Sequence, residues 1–319
     1  MLVAILLFIV GLVLLIIGGD KFVDGATGIA KKFHVPDLLI GATVVSIGTT
    51  LPEVMVSATG ALEGHPQIAY GNAIGSIICN TALICAITIA AKPSTVNKKT
   101  MKLPVIFFFT AALLYCIFAY GDAFFTRLEG IILLSIFVVY IILQIKSAKE
   151  NKTEEEIEEE QNTPLWKDIL FLVLGAIAIA FGADFLVDNG TIIAKGLGVP
   201  ESVIALTFVA LGTSLPELVT AITSLRKGHG LLSLGNIIGA NLFNLVLVSG
   251  VSIALSPFAV PVEKVLFGMN ASFILDIPVM LSVMALLVLP PLIKGRLYRW
   301  QGITLLIIYA CYCGIQFFL

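Results

Sequence analysis

The chain has 319 residues, of which 58% are hydrophobic and 13% charged, with a formal net charge of −2 and a mean hydropathy of +1.04. Soluble domains carry about 45–50% apolar and roughly 25% charged residues, so a soluble globule is excluded. With no basic excess to neutralise phosphates, nucleic acid is excluded as a partner. The lipid bilayer is the partner that the composition calls for, and no obligatory protein partner is evident. The five cysteines, Cys79, Cys85, Cys116, Cys311 and Cys313, lie in apolar stretches without CxxC spacing and are expected to be buried thiols. Met1 opens directly into an uncharged stretch without a basic n-region or a small-residue cleavage site, which predicts a retained first span near the mature N-terminus.

A helix needs about 20 apolar residues to cross a bilayer, and ten such stretches follow in chain order: 1–19, 37–60, 68–91, 103–120, 128–145, 166–187, 200–224, 231–255, 266–290 and 300–319. The expected fold is therefore an all-α membrane protein of ten transmembrane helices. Between the fifth and sixth spans lies an acidic linker, residues 146–165, with a run of glutamates from Glu154 to Glu160 interrupted only by Ile157. A run of like charge is solvated, and nothing in it has the alternating ligand pattern of an EF-hand.

Lysine and arginine set the direction. With the N-terminus outside, about 16 of the 19 basic residues fall in cytoplasmic connections, leaving only Arg127, Lys195 and Lys264 external. Both termini are then extracellular, the linker is cytoplasmic, and the protein is expected in the cell membrane.

Residues 18–80 laid on 182–244, a constant shift with no gap, are identical at about 26 of 63 positions. Residues 1–145 and 166–319 thus read as two copies of five spans each. Five is odd, so the second copy enters the membrane from the opposite side, the inverted-repeat architecture of transporters.

The densest matches are Gly48-Thr49-Thr50-Leu51-Pro52-Glu53 with Gly212-Thr213-Ser214-Leu215-Pro216-Glu217, and Gly71-Asn72-Ala73-Ile74-Gly75-Ser76 with Gly235-Asn236-Ile237-Ile238-Gly239-Ala240. Pro52 and Pro216 withhold a helical donor, so spans 2 and 7 are expected to break at mid-membrane and free backbone carbonyls. Glu53 and Glu217 stand at those breaks. An isolated acid at that depth costs at least about 2.5–3.5 kcal/mol, so the pair calls for a cation or protons.

Thr49 and Thr50 share the helical face of Glu53, as Thr213 and Ser214 share that of Glu217. Asn72, Ser76 and Asn80 form a second stripe, matched by Asn236, Ala240 and Asn244. An all-oxygen set suits hard cations, calcium before magnesium, and the same oxygens can hold sodium. Mutual exclusion at one shared site is the physical basis of antiport.

These motifs resemble the alpha-1 and alpha-2 repeats of the cation/calcium exchanger superfamily, prokaryotic sodium/calcium exchangers in particular, here spanning 41–80 and 205–244. The resemblance covers nearly the whole chain. It implies a non-enzymatic antiporter that moves calcium outward against sodium, about three sodium ions per calcium, by alternating access. It implies Glu53 and Glu217 as central calcium ligands with the carbonyls of Thr49 and Thr213. Thr50, Ser214 and Ser76 would line sodium sites with the carbonyls of Ser46 and Ala210, and Asn80 and Asn244 would complete the centre. No cofactor is implied beyond the transported ions.

Ala240 stands where the family usually has serine, removing one hydroxyl from a sodium site. Asn244 stands where many relatives have aspartate, which resembles the potassium-independent branch. Proton-coupled calcium exchange is the alternative within the superfamily, although the glutamate that follows GN there is absent at Ile74 and Ile238. A cation channel and an intramembrane protease are the alternatives outside it. Asp20 and Asp24, matched by Asp184 and Asp188, read as interfacial residues able to draw cations towards each vestibule. His65 and His229 read as turn residues, and spans 1 and 6 as helices that slide across the ion-binding bundle.

Overall fold

The computed structural model describes residues 2–150, 164–197, 212–262 and 264–318. The helices are α1 (Leu2–Phe33), α2 (Asp37–Leu62), α3 (Pro66–Ala91), α4 (Lys98–Gly121), α5 (Arg127–Glu150), α6 (Leu165–Gly196), α7 (Leu215–Arg226), α8 (Gly230–Leu255), α9 (Ser272–Lys294) and α10 (Arg299–Phe318). Among the described residues, nine are long and apolar enough to cross a membrane. The tenth, α7, is the described remainder of the seventh expected span, whose first part, with Ala210, lies outside the described residues, as does the acidic linker.

Four boundaries and elements differ from expectation. The first and sixth helices run 32 residues each, well past their apolar cores, because Asp20, Lys21 and Asp24, and likewise Asp184 and Asp188, are compatible with helix beyond the hydrocarbon. The ninth starts at Ser272, after a two-stranded antiparallel hairpin of β3 (Val265–Leu266) and β4 (Met269–Asn270). A second pair, β1 (Phe124–Phe125) with β2 (Phe258–Ala259), ties the α4–α5 connection to the end of α8, so the fold is helical with two small ribbons. Cys79 and Cys85 are buried as expected, but Cys311 is exposed and Cys116 and Cys313 are half-buried, because the outer face of a membrane helix is itself apolar.

The hydrophobic interior has two parts. The larger gathers α2 to α5 and α7 to α10 around α3 and α8. In their most apolar stretches α3 is 78% and α8 83% buried, against 28% for α1 and 22% for α6, which makes α3 and α8 the central helices. The smaller cluster joins Leu15, Phe22, Val23, Ala26 and Ala30 of α1 to Ile179 and Ala183 of α6, and takes in Ile40 and Val45 of α2 and Leu232 of α8.

Glycines bring α1 and α6 into backbone contact. A Cβ on Gly11 would lie 2.9 Å from the Gly182 carbonyl, one on Gly18 3.1 Å from that of Gly175, and one on Gly25 2.5 Å from that of Asp168. Partner numbers fall as the α1 numbers rise, so the two helices run antiparallel. One end of this seam carries the Lys32–Asp168 ion pair at 2.5 Å, with Asp168 buried.

The helices flanking the centre contain wide π turns at Gly41–Val45 in α2, Asn80–Cys85 in α3, Asn244–Val248 in α8 and Ser272–Asp276 in α9. Asn80 and Asn244 are matching positions of the two copies, and each opens its π turn. A π turn leaves carbonyls in need of donors. Ser46 Oγ lies 2.7 Å from the Gly41 carbonyl, Tyr140 donates to the Ala42 carbonyl at 2.9 Å, and Ser249 donates to the Asn244 carbonyl at 2.9 Å. The α2–α3 and α7–α8 turns also match, with Gly64 and Gly228 at φ of +78° and +85°, a conformation that glycine adopts freely.

Candidate cation site

The site forms where four elements meet at the centre of the larger cluster. Glu53 comes from α2 and Glu217 from the first turn of α7, both 0% exposed. The π turn of Asn244 packs on α2, and that of Asn80 packs on α7, so each copy's asparagine turn lies against the other copy's acidic helix. The two carboxylates are within electrostatic range of each other, and Thr49 stands beside that of Glu217.

The expected break at Pro52 is not present: α2 is helical from Ser46 to Leu62 through the proline. Pro52 deletes a single donor, and the Gly48 carbonyl it leaves is accommodated without ending the helix. In the second copy the chain does leave the helix, in a turn at Thr213–Ser214 immediately before Leu215-Pro216.

Two hydrogen bonds cross between the copies in matching fashion. Thr49 donates to Asn236 Oδ1 at 3.1 Å, and Thr213 donates to Asn72 Oδ1 at 3.1 Å. Asn72 uses its amide donors on Ser57 Oγ at 2.8 Å and the Glu53 carbonyl at 3.1 Å. Asn72 therefore braces the acidic helices with its whole amide, whereas Asn236 does so through its Oδ1 alone and keeps a buried Nδ2 without a partner. Ser46 also lies in this bracing layer, its Oγ 3.0 Å from the Asn236 carbonyl. Close approach here depends on missing side chains, since a Cβ on Gly239 would meet Ser46 Oγ and Ala42, and one on Gly235 would meet the Leu38 carbonyl.

What remains at the centre is a set of buried polar atoms without hydrogen-bond partners: Thr50 Oγ1, both carboxylate oxygens of Glu53 and of Glu217, both amide atoms of Asn80, Ser214 Oγ and Asn244 Oδ1. Asn244 spends its Nδ2 on the Ala240 carbonyl at 3.0 Å, which leaves the oxygen as its available atom. Ser76, 4% exposed, lies one turn before Asn80 on the same helix. An unsatisfied buried polar group costs about 1–3 kcal/mol, and a charged one more. Eight oxygens with that cost in one place, on residues picked out by the repeat, match the donor chemistry of a hard cation. Ala210, the remaining expected carbonyl ligand, lies outside the described residues.

Several polar groups were not evident from sequence. Thr220 and Ser224 continue the Glu217 face of α7, buried and partnerless. Asp276 is a further buried acid on α9, but Tyr312 at 3.0 Å and Gln316 at 2.6 Å donate to its Oδ1, so it belongs to a satisfied network. His229, expected to serve its turn, has Nδ1 2.8 Å from Asp37 Oδ2. These pairings depend on helix-to-helix contacts that no local spacing encodes. The site is backed by a cleft lined by Phe22 of α1, Gly48, Thr49, Pro52, Ala176 of α6 and Pro216.

Comparison with known proteins covers nearly the whole chain. The sodium/calcium exchanger protein family model matches residues 3–146 and 167–318. The chain is 28% identical to the sodium/calcium exchanger MaX1 of Methanosarcina acetivorans, covering 98% of both chains. It is 33% identical to an uncharacterized membrane protein of Methanocaldococcus jannaschii, covering 95% of this chain and 94% of that one. A solved structure of the sodium-calcium exchanger NCX_Mj, soaked with sodium and strontium, superposes with a TM-score of 0.81 at 31% identity, covering 98% of each chain. This multi-pass membrane protein belongs to the sodium/calcium exchanger family.

Proposed function

We propose that the chain exchanges sodium for calcium by alternating access at the site between Glu53 and Glu217. The observation that carries the reading is the set of partnerless buried oxygens at matching positions of two sequence copies, in a chain whose family exchanges these ions. Calcium takes six to eight flexible oxygens at about 2.3–2.6 Å. Glu53, Glu217, Asn80 and Asn244 supply side-chain oxygens, and Thr49 and Thr213, whose hydroxyls are engaged elsewhere, offer carbonyls. Thr50, Ser214 and Ser76, with the carbonyls of Ser46 and Ala210, line flanking sodium positions. Two carboxylates balance one divalent ion, whereas about three sodium ions would bring one charge more, so the cycle is electrogenic. Asn244 supports a cycle without potassium, because no third carboxylate is added at the centre.

Residues 1–145 and 166–319 act as the two inverted halves, joined by the 146–165 linker. Support comes from the matching π turns, the reciprocal Thr–Asn bonds and the antiparallel course of α1 and α6, helices at equivalent places in the two copies. The distribution of basic residues supports a cytoplasmic linker and termini outside the cell membrane. The α1–α6 pair meets the remaining helices through a second hydrophobic cluster that includes Ile40 and Val45 of α2 and Leu232 of α8, and an apolar contact of that kind suits it to slide over them.

The test is calcium-45 uptake into sodium-loaded proteoliposomes by the wild type, Glu53→Gln and Glu217→Gln. Each variant removes one of two charges from a buried ion, a loss of about 3–5 kcal/mol or a hundred-fold and more in calcium affinity. Normal exchange by both variants would overturn the central assignment.

A further inference from the structure

Lys227 lies just past α7 and reaches α1. Its Nζ donates to Asp24 Oδ1 at 2.6 Å and to the Asp20 carbonyl at 2.8 Å, and stands 3.8 Å from Asp20 Oδ1. Two residues on, His229 pairs with Asp37 in the first turn of α2. Close by, Gly19 of α1 lies so near α7 that a Cβ there would come 2.6 Å from Val219. One end of α7 therefore holds α1 and α2 together. The glycine seam makes α6 follow α1.

The other copy repeats the acids and reverses the base. Asp184 and Asp188 match Asp20 and Asp24 residue for residue, whereas the counterpart of Lys227 is Glu63. All three acids are exposed, and among the described residues none has a cationic partner within 4.0 Å. A movement that released α1 from α7 and closed the equivalent contact of α6 on α2 would bring like charges together. The pair at one end attracts where its counterpart at the other end repels.

We propose that Lys227 is a positioning residue of the exchange cycle. It ties the α1–α6 pair down on its own face of the membrane, so that the ion site rests open to the opposite face, beside Glu63, Asp184 and Asp188. The inference rests on the alternating-access reading, since a site open to both sides at once would have no resting direction. A half-exposed ion pair changes such a balance several-fold, not by orders of magnitude.

Hydrogen exchange by mass spectrometry tests it on the full chain without sodium or calcium, comparing wild type, Lys227→Gln, Lys227→Glu and the swap Lys227→Glu with Glu63→Lys. The two single variants should exchange roughly five-fold faster over residues 20–33, with no change at 184–196. In the swap, exchange at 184–196 and 59–65 should slow while 20–33 stays fast. Protection that remains at 20–33 in the swap, or single variants that exchange like the wild type there, would overturn the proposal. Should Lys227→Glu exchange faster in every helix through lost folding, Lys227→Gln, which inverts no charge, decides on the same comparison. Sodium-driven calcium uptake by the wild type, run alongside, tests the exchange reading separately. Its failure would leave the exchange pattern to report on the Lys227 contact alone.

Discussion

Asn72 and Asn236 hold matching places, yet only one amide group is fully used. Asn72 donates to Ser57 and to the Glu53 carbonyl, whereas Asn236 Nδ2 is buried without a partner, because Ala221 occupies the position equivalent to Ser57. Ala221→Ser should therefore add a bond worth about 1 kcal/mol and raise the apparent melting temperature in detergent. A lower melting temperature would show that the space around Ala221 does not admit the hydroxyl. At Ala240, serine would restore a hydroxyl one turn before Asn244. Ala240→Ser is expected to shift the sodium concentration for half-maximal exchange and leave calcium affinity within about two-fold, since neither carboxylate changes. Equal effects on both ions would place residue 240 in the calcium site.

The burial of Glu53, Glu217, Thr50, Ser214, Asn80 and Asn244 without partners was foreshadowed in the sequence, where the repeat sets them at matching positions and buried acids demand an explanation. Asn72 was legible as important but not as a brace, since its partners Ser57 and Thr213 lie on two other helices. Asp276 and the His229–Asp37 pair escaped for the same reason: each is defined by a neighbour far along the chain.

Among the elements, α1 and α6 depend most on what their residues lack. A Cβ on Gly175 would stand 2.5 Å from the Phe22 nitrogen and 2.8 Å from the Gly18 carbonyl, both backbone atoms that cannot step aside. Gly175→Ala should cost about 1–3 kcal/mol by forcing the pair apart. Gly314→Ala, where nothing among the described residues lies within 4 Å, should be neutral or slightly stabilising. Melting curves of the two variants that coincide would remove the seam from the account. Among the described residues, span positions were legible from hydropathy to within a few residues, except where polar residues extend α1 and α6 and where the β3–β4 hairpin delays the start of α9 to Ser272. The π turns were not, since a π turn arises from one residue too many in a packed helix and leaves no compositional mark. Proline likewise misled at Pro52, where neighbouring helices hold α2 continuous, while the second copy opens at Thr213–Ser214.

On the scale of the whole molecule, a bundle centred on α3 and α8 is flanked by the α1–α6 pair, which packs on it through Ile40, Val45 and Leu232, an arrangement that fits the alternating access proposed above. The bundle carries the buried carboxylates and asparagines, and among the described residues the pair contributes Phe22 and Ala176 to the cleft beside them. The most direct test is calcium uptake into sodium-loaded proteoliposomes diluted into sodium-free choline medium, with a voltage-sensitive dye present. Controls are vesicles without sodium and vesicles with only a proton gradient. Uptake that requires internal sodium, proceeds without potassium and moves the membrane potential is the predicted result. Uptake driven equally by a proton gradient, or without any counter-gradient, would contradict sodium/calcium exchange and point to proton coupling or to a channel.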